Sequence, residues 1–331
     1  MFAFIDRDHD RALPCCQVFE DTVHASQSAL RRLLAAPAAE IRSVVSNAVA
    51  AEEGQGEQPR PPSEADWVVW HLHRQLGGTQ GQTAERLAAD GVAVLVTFLR
   101  GRVASDPATP ERYQENRMTD GAAVAARIIA AGGRAVAVEA DLLDATTPSN
   151  VFNLAERELG PVDILVNNAT GWASGDSFVA GTLDPVGRST PPVTADLFDR
   201  TFGVDARAAA LLIAEFSTRL IARNGGWGRI VGLTSGGPNG FPGEVTYGAA
   251  KAALENYTMA AATELGRRGV TANMIHPPIT DSGWVNDAVR EFAATSHDHF
   301  HVAEPAEVAG VIAWLCSDSA RMVTGNVIRM R

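Results

Sequence analysis

From about residue 82 to its C-terminus, the sequence predicts an α/β fold: a parallel sheet with helices covering both of its faces. Three observations carry this. Helical and strand-like segments alternate with short connections, the strand-like segments are near-continuous apolar runs, and glycines stand where the helices stop. A parallel strand buried on both faces needs apolar side chains at successive positions, whereas a half-exposed strand would alternate.

In chain order, a helix is read over 83–89, closing near Gly91, and leads into the β-rich run 92–98. A second helix, 122–131, ends at Gly132 and Gly133, where glycine adopts the left-handed cap conformation without a Cβ penalty. The strand 134–139 runs into Ala140-Asp141-Leu142. Helix 151–158 follows, and the apolar strand 162–166 leads to Asn167-Asn168-Ala169-Thr170. A long helix with an irregular start covers 192–221, and strand 229–233, helix 246–267 and strand 270–275 complete the pattern. The first 80 residues differ. They offer a helix over 28–34, a polar Gly- and Pro-rich linker over 52–64, and the short apolar run Trp67-Val68-Val69-Trp70. The expected organisation is an N-terminal extension, residues 1–66, followed by one α/β domain, residues 67–331.

Composition excludes several classes of function. Hydrophobic residues at 46% and charged residues at 20% are ordinary for a globular chain, and no run approaches the roughly 18 apolar residues of a membrane span. The N-terminus lacks a basic region leading into an apolar run, so the expected location is the cytoplasm. A net charge of -11 without a basic patch argues against nucleic acid. Cys15, Cys16 and Cys316 suit neither a disulfide framework nor a metal site. His297, His299 and His301 alternate, but nothing is placed to complete a coordination shell, so they read as a solvated loop with no metal.

The chemistry centres on Tyr247-Gly248-Ala249-Ala250-Lys251, at the start of the helix 246–267. Residues four apart share a helix face, so phenol and ammonium project into the same space. A free tyrosine titrates near pH 10, and a nearby cation favours the phenolate. Lys251 is the chain's single lysine among many arginines, which points to a role that a planar guanidinium does not fill. Ser235 stands just beyond the strand 229–233, where parallel-sheet proteins place reactive groups, and its hydroxyl could hold a substrate oxygen while Tyr247 supplies the proton.

With these residues in place, the stretch from about 82 to 331 resembles the short-chain dehydrogenase/reductase family, in particular bacterial 3-oxoacyl-[acyl-carrier-protein] reductase-like members. The matching pieces are Asn167-Asn168-Ala169, Ser235, Tyr247 with Lys251, Asn273 to Pro277, and Thr324-Gly325, in the family's order. The resemblance implies a Rossmann-like doubly wound parallel sheet and a nicotinamide cofactor. It also implies hydride transfer to or from a ketone or secondary alcohol, such as a 3-oxoacyl thioester, with Tyr247 as acid/base. By the same carry-over, Asp141 and Leu142 border the adenine, Asn168 and Ala169 the adenosine side, and Pro277, Ile279 and Ser282 the nicotinamide end. Family members assemble as homodimers or homotetramers.

Cofactor choice turns on the end of the strand 92–98. A carboxylate there binds the ribose 2'-hydroxyl of NAD, and arginine accommodates the 2'-phosphate of NADP. The chain reads Leu99-Arg100-Gly101-Arg102, which favours NADP(H), with NAD(H) the second choice.

The chain also departs from the family. Gly77 and Gly81 keep the first spacing of the phosphate-binding glycine turn, but Thr83 occupies the third glycine position, which leaves the first strand and the turn open. Asp205 stands where the family usually carries asparagine; it cannot donate as an amide does, though its carbonyl could position a water in a proton relay. Ser235 lies one residue nearer Tyr247 than is common, so Thr234 competes as the hydroxyl, and Pro278 replaces a usual glycine. Family character stops abruptly before residue 82. Either an altered reading frame or a genuine extension supplying a substitute first strand accounts for that, and an intact glycine motif in a neighbouring frame of the gene would decide for the first. A weakened glycine turn also raises a second function, a noncatalytic family member serving as a binding or assembly subunit. The segment 281–302, with Trp284, Phe292 and Phe300, lies where the family has its mobile substrate loop.

Overall fold

The computed structural model describes residues 68–72, 78–101, 110–179, 181–184, 187–237, 239–297 and 300–331. The chain divides into two units, Met1–Arg60 and Pro61–Arg331, and every described residue lies in the second. The readings for residues 1–66, and for Trp67, Gly77, Arg102 and His299, fall outside the described residues.

Strand β1 (Val68–Leu72) forms where Trp67 to Trp70 offered the short apolar candidate, and helix α1 (Thr79–Ala89) follows it. Next come β2 (Ala93–Phe98), α2 (Glu111–Met118), α3 (Gly121–Ala130) and β3 (Ala135–Glu139). Helix α4 (Thr147–Glu158) returns the chain to β4 (Val162–Asn167) on the other side of β1. A small antiparallel hairpin, β5 (Thr182–Leu183) and β6 (Ser189–Thr190), precedes α5 (Ala195–Phe202), a π turn (Gly203–Ala208) and α6 (Ala209–Ala222). Then follow β7 (Gly228–Leu233), α7 (Val245–Leu265), β8 (Val270–His276), α8 (Asp287–Thr295), α9 (Pro305–Cys316) and β9 (Val327–Arg329).

The sheet order is β3-β2-β1-β4-β7-β8-β9, and every neighbouring pair is parallel. This is the doubly wound α/β arrangement, and the winding reverses between β1 and β4. Beyond the carboxyl ends of those two strands the connections diverge to opposite sides, which opens a crevice. The apolar runs have the expected cause. Along β2, Val94 and Val96 enter a core with Leu87, Ile128, Ile312 and Leu315, while Leu95 faces the opposite core with Phe152, Leu212, Phe216 and Leu265.

Several elements differ from the sequence reading. Helix α1 begins at Thr79 rather than 83, and within it the buried Thr83 hydroxyl donates to the Thr79 carbonyl at 2.7 Å. Helix α2 was not anticipated, since its residues Glu111 to Met118 are strongly polar and carry no apolar stripe. The long helix over 192–221 is three pieces, broken by the π turn. The segment 281–302 contains α8, which Asn286 caps by accepting from the Val289 N–H at 2.9 Å.

Phe152 has 0% exposure and joins α4 to the sheet within the second core. Phe152→Ala is expected to cost about 3–5 kcal/mol, read as a lower urea midpoint without a change in m-value.

Candidate active site

The carboxyl ends of the central strands and the starts of the following helices converge on one cavity of about 280 Å³. The loop after β4 contributes Asn168 and Thr170, the end of β7 contributes Thr234 and Ser235, and the first turns of α7 contribute Tyr247 and Lys251. Pro277 and Ser282 enter after β8, and Thr79 and Gln80 from the start of α1.

Ser235 and Tyr247 line the cavity together, and the Ser235 side chain favours the ionised form of the Tyr247 phenol. The competing hydroxyl, Thr234, also lines the cavity but donates to Glu255 at 2.5 Å. Gly236 turns the chain sharply with φ +90, a conformation that a side chain would strain, and His276 Nε2 holds its carbonyl at 2.6 Å.

Lys251 Nζ lies 5.5 Å from the centre of the Tyr247 ring but 3.0 Å from a carboxylate oxygen of Asp205. Both charged side chains are buried, at 2% and 0% exposure. The π turn carries Asp205 inward, an inserted residue in the helical ladder re-aiming one side chain. Its other oxygen accepts from the Thr170 hydroxyl at 3.1 Å and the Gly171 N–H at 2.6 Å. Asp205 is therefore the counter-ion of Lys251 and does not line the cavity itself.

This pairing corrects the expectation that Lys251 lowers the Tyr247 pKa. Burial, followed by the charge of Asp205 and then Glu244 and Tyr113, pushes the Tyr247 phenol well above its ordinary value, and the Ser235 side chain acts the other way. The ammonium's field is spent largely on the nearer carboxylate. At neutral pH the phenol keeps its proton.

Glu244, just ahead of α7, is buried and salt-bridged to Arg188 at 2.5 Å. Burial raises its carboxyl pKa, and Arg188 and the Trp172 indole oppose that rise. Arg188 also pairs with Asp184 at 2.7 Å. It comes from the β5–β6 hairpin, and no sequence signal marked it.

The residues fit a dinucleotide. No side chain caps the start of α1, and Thr79 and Gln80 of its first turn line the cavity, which suits a pyrophosphate at a helix N-terminus. Asn168 presents a buried amide nitrogen with no protein partner at the same cavity, suited to a ribose hydroxyl. Gly81 is buried in the first turn of α1, where Thr83 fills the third glycine position from the inside.

Other expected residues stand apart from the cavity wall. Leu142 packs into the second core and Ala169 packs against it, because both are small or apolar side chains beneath the sheet's helical cover. Asp141 accepts from the Leu143 N–H at 3.0 Å and its carbonyl holds the Thr147 hydroxyl at 2.6 Å, so it braces the turn into α4. The Ile279 carbonyl accepts from the Ala303 N–H at 2.8 Å, tying the loop after β8 to the start of α9. Arg100 lies at the end of β2 as expected, but it is not free. Glu139, at the end of the adjacent β3, takes its guanidinium at 2.6 Å and 3.3 Å, and Asp120 stands 3.9 Å away. A carboxylate thus reaches the strand end from a neighbouring strand.

The enoyl-(acyl carrier protein) reductase family model matches residues 113–330. The chain belongs to the short-chain dehydrogenase/reductase family. Like other short-chain dehydrogenases/reductases it is an NAD(P)-dependent oxidoreductase. It is 32% identical over 73% of its length to an uncharacterized oxidoreductase of Bacillus subtilis, covering 86% of that protein. It is 28% identical over 75% of its length to a 3-oxoacyl-[acyl-carrier-protein] reductase of Synechocystis, covering 89% of it. Among solved structures, the angucycline C-6 ketoreductase LanV with bound NADP superposes with a TM-score of 0.62 at 28% identity, over 82% of this chain and 97% of that one. A blue fluorescent protein from a metagenomic library, in complex with NADPH, gives 0.63 at 28% identity, over 80% and 96%. Among the described residues of this short-chain dehydrogenase/reductase, no helix is long and apolar enough to cross a membrane.

Proposed function

We propose that residues 67–331 form an NADPH-dependent reductase of ketones, running in reverse as a dehydrogenase of secondary alcohols. The observation that carries this reading is the meeting of Ser235, Tyr247 and the buried Lys251 on one cavity, which Thr79 and Gln80 at the start of α1 also line. When bound, the cofactor supplies the hydride. The α1 amides and Asn168 would hold it, and Lys251 would donate to a ribose hydroxyl. Ser235 holds the carbonyl oxygen, and Tyr247 gives its proton to that oxygen as negative charge develops. Asp205 fixes the ammonium of Lys251 and, through the Thr170 and Gly171 contacts, the loop after β4.

The deciding experiment is a fluorescence titration with NADPH followed by a carbonyl-reduction assay. Saturable binding and turnover support the enzyme, while failure to bind would favour a noncatalytic binding or assembly subunit. For cofactor choice, Arg100 would meet a 2'-phosphate only by exchanging its Glu139 partner for it. Arg100→Ala should raise KM for NADPH by about tenfold, the scale of one lost charged hydrogen bond, with little effect on NADH. Equal KM values for the two cofactors in the unmodified enzyme would overturn the preference.

A further inference from the structure

Four aromatic side chains from four separate segments wall the cavity around Tyr247: Tyr113 of α2, Trp172 after β4, Phe241 before α7 and Trp284 after β8. They are set against one another. Tyr113 meets Trp172 edge-on at 6.0 Å, and Phe241 lies tilted 6.2 Å from Tyr247. The Trp284 indole N–H donates to the Thr280 carbonyl at 2.8 Å, which fixes its plane. Arg188 braces the two indoles, its guanidinium carbon 5.6 Å from the Trp172 ring and 5.9 Å from the Trp284 ring.

The charges on this wall are already matched. Its two cations, Lys251 and Arg188, face three carboxylates: Asp205 on the first, Asp184 and Glu244 on the second. A substrate carboxylate or phosphate entering here would be stripped of water, would find both cations engaged, and would lie near Glu244. A flat uncharged ring meets no such penalty and gains offset or edge-on contact with the aromatic faces.

We propose that the substrate is a neutral ring ketone, seated against the aromatic wall to which Trp172 and Trp284 contribute, and that 3-oxo acids and the charged carriers of acyl thioesters are disfavoured. This rests on the ketone-reductase reading and narrows it to one substrate class.

The test has two arms. With NADPH, kcat/KM is compared for 1-tetralone, a tetralone bearing a ring carboxylate, and acetoacetyl-coenzyme A; the neutral ketone is expected to exceed both by at least about tenfold, the scale of one charged hydrogen bond. Separately, calorimetry measures binding of 1-tetralone and its carboxylate to the wild type, Trp172→Ala and Trp284→Ala, with folding checked by far-UV circular dichroism. Tetralone should bind the wild type, and at least one folded variant should bind it about tenfold more weakly. The proposal is overturned by equal or better use of the acid or the thioester, by absence of tetralone binding to the wild type, or by unchanged binding in both variants. If no ketone at all is turned over, the reductase reading fails, and the calorimetric arm still decides the ligand class.

Discussion

Tyr247→Phe is expected to lower ketone reduction by about 10²- to 10⁴-fold, the usual loss when a general acid is removed. The ring remains, so its packing near Phe241 and its place in the cation–π contact with Lys251 persist, and NADPH titration should give nearly the wild-type affinity. The loss should fall on kcat. The developing alkoxide would keep the Ser235 hydroxyl but have no donor to protonate it. Unchanged turnover in the phenylalanine variant would remove Tyr247 from the mechanism, whatever the fold.

The pH dependence follows from the same residue. Reduction needs the neutral phenol, which the raised pKa of Tyr247 preserves through neutral and moderately alkaline pH, with activity lost as pH rises through that pKa. Alcohol oxidation needs the phenolate, so its rate should climb over the same alkaline range.

Asp205→Asn is expected to move both limbs to lower pH. The substitution removes a negative charge that favours the neutral phenol, and it releases the Lys251 ammonium from its nearer partner. The amide oxygen can still accept from Thr170 and Gly171. Asp205→Ala goes further, because it strands an ammonium with only 2% exposure, and breaking a buried pair in this way costs about 3–5 kcal/mol. Urea unfolding would register that cost. A pH–rate profile of Asp205→Asn superimposable on the wild type would show that the carboxylate does not act on Tyr247.

The sheet was legible because its cause is local in sequence. Ala93 to Phe98 and Val162 to Asn167 are buried on both faces, so each declares itself as an apolar run, and the helices between them end at glycines such as Gly132, with φ +90. The Tyr247–Lys251 pair was legible for the same reason, as two side chains one helical turn apart. Ser235 followed from its place at a strand end. Strand β1 was only a short apolar candidate, and the helical start at Thr79 was hidden because no capping side chain announces it.

What joins distant segments was not legible. Arg100 to Glu139, Lys251 to Asp205, and Arg188 to Glu244 are partners 39, 46 and 56 residues apart. The first pairing undercuts the reading of Arg100 as free for a phosphate, and the second reverses the expected direction of the Tyr247 shift. Helical period and strand burial act over one turn or one strand, so the sequence by itself determined the α/β class, the parallel sheet and the placing of Tyr247 and Lys251 on one helix face. Which carboxylate neutralises which cation depends on the order β3-β2-β1-β4-β7 and on a π turn that swings Asp205 inward, and a charge's field depends on its nearest counter-charge in space rather than along the chain.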